Sequence, residues 1–332
     1  MKIRLNRHAI RLLLIILVAA VVLGAVFHFI RVWERSRYMV DAPENNKQEE
    51  AAVTYFNGKG YVKRENIETV LLIGLDKFDG ASPSPDSYVN DQQSDFLLLL
   101  ILDHENKSYT SLHINRDTMA EIPLLGVGAV DIGTKTGQLA LAHTYGDGKA
   151  VSCRNTVSAV SGFLYGTEIR HYISLTMDAV PNVNDMVGGV TVTVMDDFSA
   201  VDPELIKDTD VTLTGDQALT YVRARGGMED STNLHRMERQ RQYLSALHQR
   251  VREQAEQDAS FMLDALIDIS QYLVSDCTVY QLADIGNYLL DYSGGDILTI
   301  EGEAVKGEEF MEFYADEDAL REQLLSLFYT EI

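Results

Sequence analysis

The chain has 332 residues, with 50 Asp+Glu against 28 Lys+Arg and a formal net charge of −22. So acidic a chain has no bulk attraction for a polyanion, which argues against nucleic acid as a partner. Two cysteines, Cys153 and Cys277, are too few for a disulfide framework; one bridge between them and two free thiols are both compatible with the count.

Lys2, Arg4, Arg7 and Arg11 lie within residues 1–11, and Leu12 to Ile30 follow with no charged side chain apart from a neutral His28. That stretch is long enough to span a bilayer, and no clear small-x-small cleavage site ends it, so it reads as an uncleaved anchor rather than a signal peptide. Arg31, Arg35 and Arg37 divide the count of flanking positive charge. The four basic residues and the free N-terminus still place residues 1–11 in the cytoplasm and the rest of the chain outside. Residues 31–68, polar and containing the run ENNKQEE at 44–50, read as a linker or stalk.

Beyond it, Glu68 to Leu75 and Phe96 to Leu102 are short continuous apolar runs, as in strands covered on both faces. Tyr109 to Ile114 reads as a third strand running into Asn115, Arg116, Asp117 and Thr118. Helices are expected at Gln138–Tyr145, Val151–Leu164 and Met177–Met186, and strands at His171–Thr176 and Val190–Val194. Helices dominate from Gly215 to Leu290, before a late strand at Ile297–Glu301 and a final helix at Glu317–Phe328. Alternation of this kind predicts an α/β domain, a central sheet with helices on both faces.

Asp76 and Asp95 sit at the mouths of the two most apolar strands, where a carboxylate is costly to bury without a partner. Shared coordination of Mg²⁺ (or Mn²⁺) is one solution, since that ion takes oxygen ligands from one or two carboxylates plus phosphate. Two exposed strand-end aspartates fit the pattern equally well. Arg116 beside Asp117 is ambiguous in the same way.

Asp216 to Val251 holds Arg223, Arg225, Arg236, Arg239, Arg241 and Arg250, with Arg252 next to it, a concentration that needs a cause in so acidic a chain. Gly226 and Gly227 break a first helix, and Leu234, Met237, Leu244, Leu247 and Val251 form one apolar face of a second. Arg236, Arg239 and Gln240 then lie in its first turns, with Arg223 and Arg225 delivered across the glycine turn. Basic groups at a helix N-terminus describe a polyphosphate site; a solvated basic face is the alternative. No P-loop, zinc spacing, nucleophile elbow or Cys-x-x-Cys is present, and His113 and His143 read as packing or surface residues.

Several ordered blocks between about Val70 and Leu247 resemble the LytR-CpsA-Psr family of bacterial cell envelopes. They are Gly74-Leu75-Asp76, Ser94-Asp95, Asn115-Arg116-Asp117-Thr118, Val187-Gly188-Gly189-Val190-Thr191-Val192, Leu213-Thr214-Gly215-Asp216-Gln217-Ala218-Leu219, Tyr221-Val222-Arg223-Ala224-Arg225 and Arg236-Met237-Glu238-Arg239-Gln240. The resemblance implies an α/β/α sandwich with a central mixed sheet, its core at 69–252; the region after about Arg252 lies outside the match, and 253–332 reads as a helical extension with a late strand, packed on the same domain. The resemblance also implies transfer of a glycan phosphate from a polyprenyl-pyrophosphate-linked glycan to a peptidoglycan acceptor, commonly a muramic acid hydroxyl, in a Gram-positive type of envelope. Asp76 and Asp95 match the family's metal-associated aspartates. Arg116, Arg223, Arg225, Arg236 and Gln240 match its pyrophosphate-contacting positions, with Arg239 as a neighbour.

The chain departs from that pattern in places. Lys77 follows the first aspartate where arginine is common, Gln93 replaces the arginine before Ser94-Asp95, and Asn115 replaces a proline. Gln138-Leu139-Ala140 aligns with a frequent Lys-Ile-Asn. Lys77 or Lys135 could supply the missing charge. Three activities remain open at this point: transfer with Asp95 or Asp76 taking the acceptor proton, hydrolysis of the same lipid pyrophosphate, and non-catalytic binding of the lipid.

Overall fold

The computed structural model describes residues 53–77, 89–224 and 233–332. The expected anchor Leu12–Ile30, residues 1–11 and Arg225 lie outside the described residues. Among the described residues no helix is long and apolar enough to cross a membrane.

A hairpin of β1 (Val53–Phe56) and β2 (Lys59–Lys63) comes first, followed by β3 (Ile67–Leu75), β4 (Ser94–Asp103) and β5 (Ser108–Ile114). A second hairpin, β6 (Met119–Gly126) and β7 (Val130–Gln138), leads to α1 (Ala150–Phe163), β8 (His171–Thr176) and α2 (Ala179–Met186). Next come β9 (Val190–Thr193), β10 (Asp210–Leu213), α3 (Gly215–Arg223), α4 (Asn233–Gln257) and α5 (Phe261–Ile269). The chain closes with β11 (Leu273–Ser275), α6 (Val279–Asp291), β12 (Ser293–Thr299), β13 (Gly302–Lys306), β14 (Met311–Ala315), α7 (Glu317–Phe328) and β15 (Tyr329–Glu331).

The central sheet has six strands in the order β11-β8-β3-β4-β5-β12. Strands β8 and β12 run parallel to β3 and β5, and the other pairs are antiparallel, so the sheet is mixed. Because successive side chains point to opposite faces, Leu71, Ile73 and Leu75 pack on Cys153, Val160, Leu320 and Leu324 of α1 and α7. Val70, Leu100 and Leu102 pack instead on Ile285 of α6. Each fully buried leucine contributes about 1.5–3 kcal/mol, and burial on both faces explains why β3 and β4 read as unbroken apolar runs. A third cluster joins α2, β9, β10, α3 and α4 through Val190, Val192, Leu213, Ala218, Tyr221 and Tyr243.

Two of the family-like blocks are local folding signals. Thr214 and Gln217 form a reciprocal capping box that starts α3. Gly188 and Gly189 both have positive φ (75° and 88°), and a Cβ on Gly189 would lie 3.1 Å from the Leu213 carbonyl. Only glycine turns the chain from α2 into β9 beside β10.

The structure corrects four expectations. The linker read over 31–68 contains β1 and β2 from Val53 onward, paired to β15; this hairpin leaves Val53 and Tyr55 exposed, so it carries no apolar signal. The 253–332 segment is not a helical annex with one strand. It supplies both edge strands of the central sheet, β11 and β12, and part of the main core through α7. The late strand begins at Ser293 rather than Ile297. Gln138–Tyr145 is not an α-helix: Gln138 ends β7, and Leu139–Thr144 is a 3₁₀ turn whose first N–H groups bind Thr118 and Arg116 carbonyls at 2.8 and 3.0 Å.

Cys153 and Cys277 are both free thiols. They belong to clusters on opposite faces of the sheet, which rules out a bridge between them.

Candidate functional site

Asp76 follows the last residue of β3, Asp95 is the second residue of β4, and Arg116 follows β5. Neighbouring antiparallel strands therefore place all three at one end of the sheet. Arg223, the last residue of α3, and Arg236, in the first turn of α4, arrive from the third cluster. These five charges, with Met177, line one cavity of about 620 Å³.

Asp95 is the hub. Its Oδ1 accepts from Arg116 Nη1 and from Arg236 Nη1 at 3.4 Å, while Arg236 Nη2 donates to the Asp95 carbonyl at 3.1 Å. Both guanidiniums are buried, with side chains 6% and 3% exposed. Arg116 is braced further by the Gln93 Oε1 acceptor and by Asp117 Oδ1, 3.3 Å from Nε. The glutamine that stands in place of the family arginine thus holds a neighbouring arginine. Asn115, in place of the proline, accepts from the Asp117 N–H at 3.0 Å and from Asn233 Nδ2 at 2.7 Å, tying the loop after β5 to the start of α4.

Arg223 is of another kind. Its pair with Asp76 is 2.5 Å long, and the two side chains are 54% and 47% exposed. Lys77, next to Asp76, is exposed and does not line the cavity. Lys135 lies in the β6–β7 hairpin, its Nζ 5.8 Å from the Tyr145 ring centre.

Arg239 and Gln240 are not brought to this cavity. Arg239, 1% exposed, donates from Nε to the Tyr221 carbonyl at 3.0 Å and from Nη2 to the Ala224 carbonyl at 2.5 Å, and its Nη1 pairs with Asp196 at 2.5 Å. Gln240 Nε2 donates to the Val222 carbonyl at 3.2 Å. A helix C-terminus leaves carbonyls without intrahelical donors, and these two side chains cap that of α3, which carries Arg223. Arg250 and Arg252 do the same for α2 and α6, donating to the Val187 and Leu290 carbonyls at 2.8 and 2.6 Å. The arginine concentration therefore has two causes, and sequence reasoning saw only one. Asp196, the carboxylate that holds Arg239, carried no signal.

A second, apolar cavity of about 180 Å³ is lined by Gly74, Phe96, Val180, Tyr243 and Leu247, and it meets the charged one at Met177, which lines both. Gln240 reaches this cavity, and its buried Oε1 has no hydrogen-bond partner among the described residues. At Gly74 a Cβ would stand 2.7 Å from that of Phe96, so glycine lets the ring lie across β3.

His113, buried beside the site, has its pKa pushed down to about 3, by burial first and then by Arg241 and Arg236. Burial also lowers His143, to about 4. Both are neutral packing residues near neutral pH. Asp76 and Asp95 offer only oxygen to the cavity, the donor type that Mg²⁺ or Mn²⁺ takes alongside water and phosphate oxygens, so these residues fit such an ion.

The family model described as LytR_cpsA_psr family matches residues 27–326. A curated relative from Bacillus mycoides, the polyisoprenyl-teichoic acid–peptidoglycan teichoic acid transferase TagU, is 29% identical over 239 residues, covering 70% of this chain and 71% of its own. Its Bacillus cereus counterpart is 28% identical over 269 residues, covering 79% and 78%. Among solved structures, TagT bound to LIIa-WTA superposes with a TM-score of 0.59 at 20% identity, over 83% of this chain and 98% of that one. That likeness shows a shared fold.

Proposed function

The chain belongs to the LytR-CpsA-Psr family, and on that footing we propose that it is a membrane-anchored phosphotransferase of the cell envelope. It moves a glycopolymer phosphate from a polyprenyl-pyrophosphate carrier to a peptidoglycan hydroxyl outside the membrane, to which Leu12–Ile30 holds it. The observation that carries this reading is the junction at Met177 of a cavity walled by three arginines and two aspartates with one walled by Phe96, Val180, Tyr243 and Leu247. A lipid pyrophosphate has the same two-part chemistry.

In this reading Arg116, Arg223 and Arg236 bind the pyrophosphate oxygens and stabilise charge developing on the departing lipid phosphate, work that is mainly positional and electrostatic. Arg116 and Arg236 are preorganised by Asp95, whereas Arg223 exchanges its exposed partner Asp76 for phosphate. Asp76 and Asp95 would hold Mg²⁺ or Mn²⁺, which would supply further charge neutralisation. Asp95 or Asp76 takes the proton of the acceptor hydroxyl. Names of relatives agree: the curated ones are teichoic acid transferases. Teichoic acid is accordingly the first glycopolymer to try.

The test uses the full-length protein in detergent with a polyprenyl-pyrophosphate oligosaccharide, uncrosslinked peptidoglycan strands and Mg²⁺. Phosphosugar should appear on the strands with the wild type and vanish with Arg223→Ala, whose circular dichroism should match the wild type. Free phosphosugar in place of strand-bound product would make the protein a hydrolase, and lipid binding without either product would make it a binding module.

A further inference from the structure

A third cavity, of about 330 Å³, shares Arg116 with the charged one; Gln93, Asp117, Gln138, Asn233 and Phe310 are among its other walls. Its chemistry is different. Among its described lining residues Arg116 is the one cation, and the Asp117 carboxylate beside it disfavours an anion, which argues against a second phosphate site. Three side-chain amides and an exposed ring remain.

Each amide has its orientation set by protein contacts and keeps capacity for a ligand. Gln138 Nε2 donates to Asp117 Oδ1 at 3.1 Å and to the Met311 carbonyl at 2.7 Å, which leaves its Oε1 as acceptor. Asn233 Nδ2 donates to Asn115, and its buried Oδ1 has no partner among the described residues. A buried acceptor in that state is costly unless something donates to it. Phe310, 42% exposed, lies in the turn between β13 and β14. That hairpin is held to the site, because the Phe313 N–H donates to the Asp117 carbonyl at 2.9 Å. Hydroxyl-bearing rings suit this arrangement: their O–H groups meet amide and carboxylate oxygens, and their C–H face covers an aromatic ring.

We propose that this cavity is the acceptor-sugar subsite, an inference that rests on the transferase reading. A pyranose of the acceptor strand stacks on Phe310 and donates to Asn233 Oδ1 and Gln138 Oε1, which brings its reacting hydroxyl past Arg116 to the neighbouring cavity. There the hydroxyl oxygen forms a bond to the phosphorus that carries the glycan. The bridging P–O bond breaks, its electron pair leaves with polyprenyl phosphate, and the hydroxyl proton passes to an aspartate carboxylate.

The experiment measures two things on the full chain in detergent. One is calorimetric binding of an uncrosslinked strand fragment of N-acetylglucosamine and N-acetylmuramic acid. The other is the KM for that fragment in the transfer assay. Phe310→Ala should weaken binding and raise the KM about tenfold, the loss of one aromatic contact. Phe310→Trp should restore both, and affinity for the lipid donor should stay the same in all three proteins. Transfer with an unchanged fragment KM in Phe310→Ala would overturn the subsite and leave the transferase standing. Fragment binding that depends on Phe310 in a protein that transfers nothing would keep a sugar site and overturn the transferase. A wild type that neither binds the fragment nor transfers to it would overturn both.

Discussion

Replacing Arg239 by alanine separates a side chain that builds the site from one that serves it. Arg239 is 1% exposed, pairs with Asp196, whose side chain is 13% exposed, and donates to the Tyr221 and Ala224 carbonyls. Removing one partner of a buried pair costs about 3–5 kcal/mol, because the other charge stays buried. His235 Nδ1, 3.6 Å from Asp196, offsets part of that only when protonated, while the loss of two carbonyl caps adds to it. A net loss of about 3–4 kcal/mol is expected. Arg223→Ala is the contrast: its pair with Asp76 is about half exposed, and such pairs are worth about 0–1 kcal/mol. Urea unfolding of the full chain in detergent, followed by circular dichroism, should therefore show a large shift for Arg239→Ala and almost none for Arg223→Ala. Transfer should be lost in Arg223→Ala. An Arg239→Ala protein as stable as the wild type yet inactive would refute the reasoning and return Arg239 to the ligand set.

The same logic divides the aspartates. Asp95→Asn removes the carboxylate shared by two buried arginines and should cost about 2–3 kcal/mol, less than a full buried pair because Asp117 still meets Arg116. Asp76→Asn should unfold at the wild-type urea concentration while losing the Mg²⁺ stimulation of transfer. Chelation of divalent ions should stop the wild type, and Mg²⁺ or Mn²⁺ should restart it. Because His113 and His143 stay neutral when folded, down to about 3 and about 4, the unfolded chain binds protons first as pH falls below about 6.5. The stability these groups contribute is present above that pH and lost toward pH 4, and His113→Gln should flatten the urea midpoint against pH by about one proton. Burial raises the Cys153 thiol to about 12, so in the native protein a maleimide should spare Cys153. A reductant should leave the unfolding midpoint unchanged; a shift would mean that a bridge exists.

Much of the site was legible because strand ends are. The runs TVLLIGL and FLLLLIL mark two buried strands, and an aspartate at the mouth of each needs a partner wherever the strands lie. Arg116 could be placed with them once the third strand was seen, since it stands two residues after that strand's last residue, Ile114. Lys77 and Gln93 were harder. A charged residue next to a site residue looks like a donor in sequence, yet Lys77 stays outside the cavity and Gln93 acts by holding Arg116. The β1–β2 hairpin was missed because its strands bury little apolar surface. The C-terminal strands were misjudged because edge strands take their meaning from partners such as β8 and β5, about a hundred or more residues earlier in the chain.

Apolar periodicity, the Thr214–Gln217 cap and the paired glycines at 188–189 are local properties, and through them the sequence by itself determined an α/β domain, a sheet with helices on both faces. It also determined which residue types stand at the strand mouths. Only the tertiary structure decided which arginines face the cavity and which hold helix ends. Arg236 and Arg239 are one turn apart on the same helix and chemically identical. What separates them is Asp95 on a central strand for one, and Asp196 and the Ala224 carbonyl, 43 and 15 residues away, for the other.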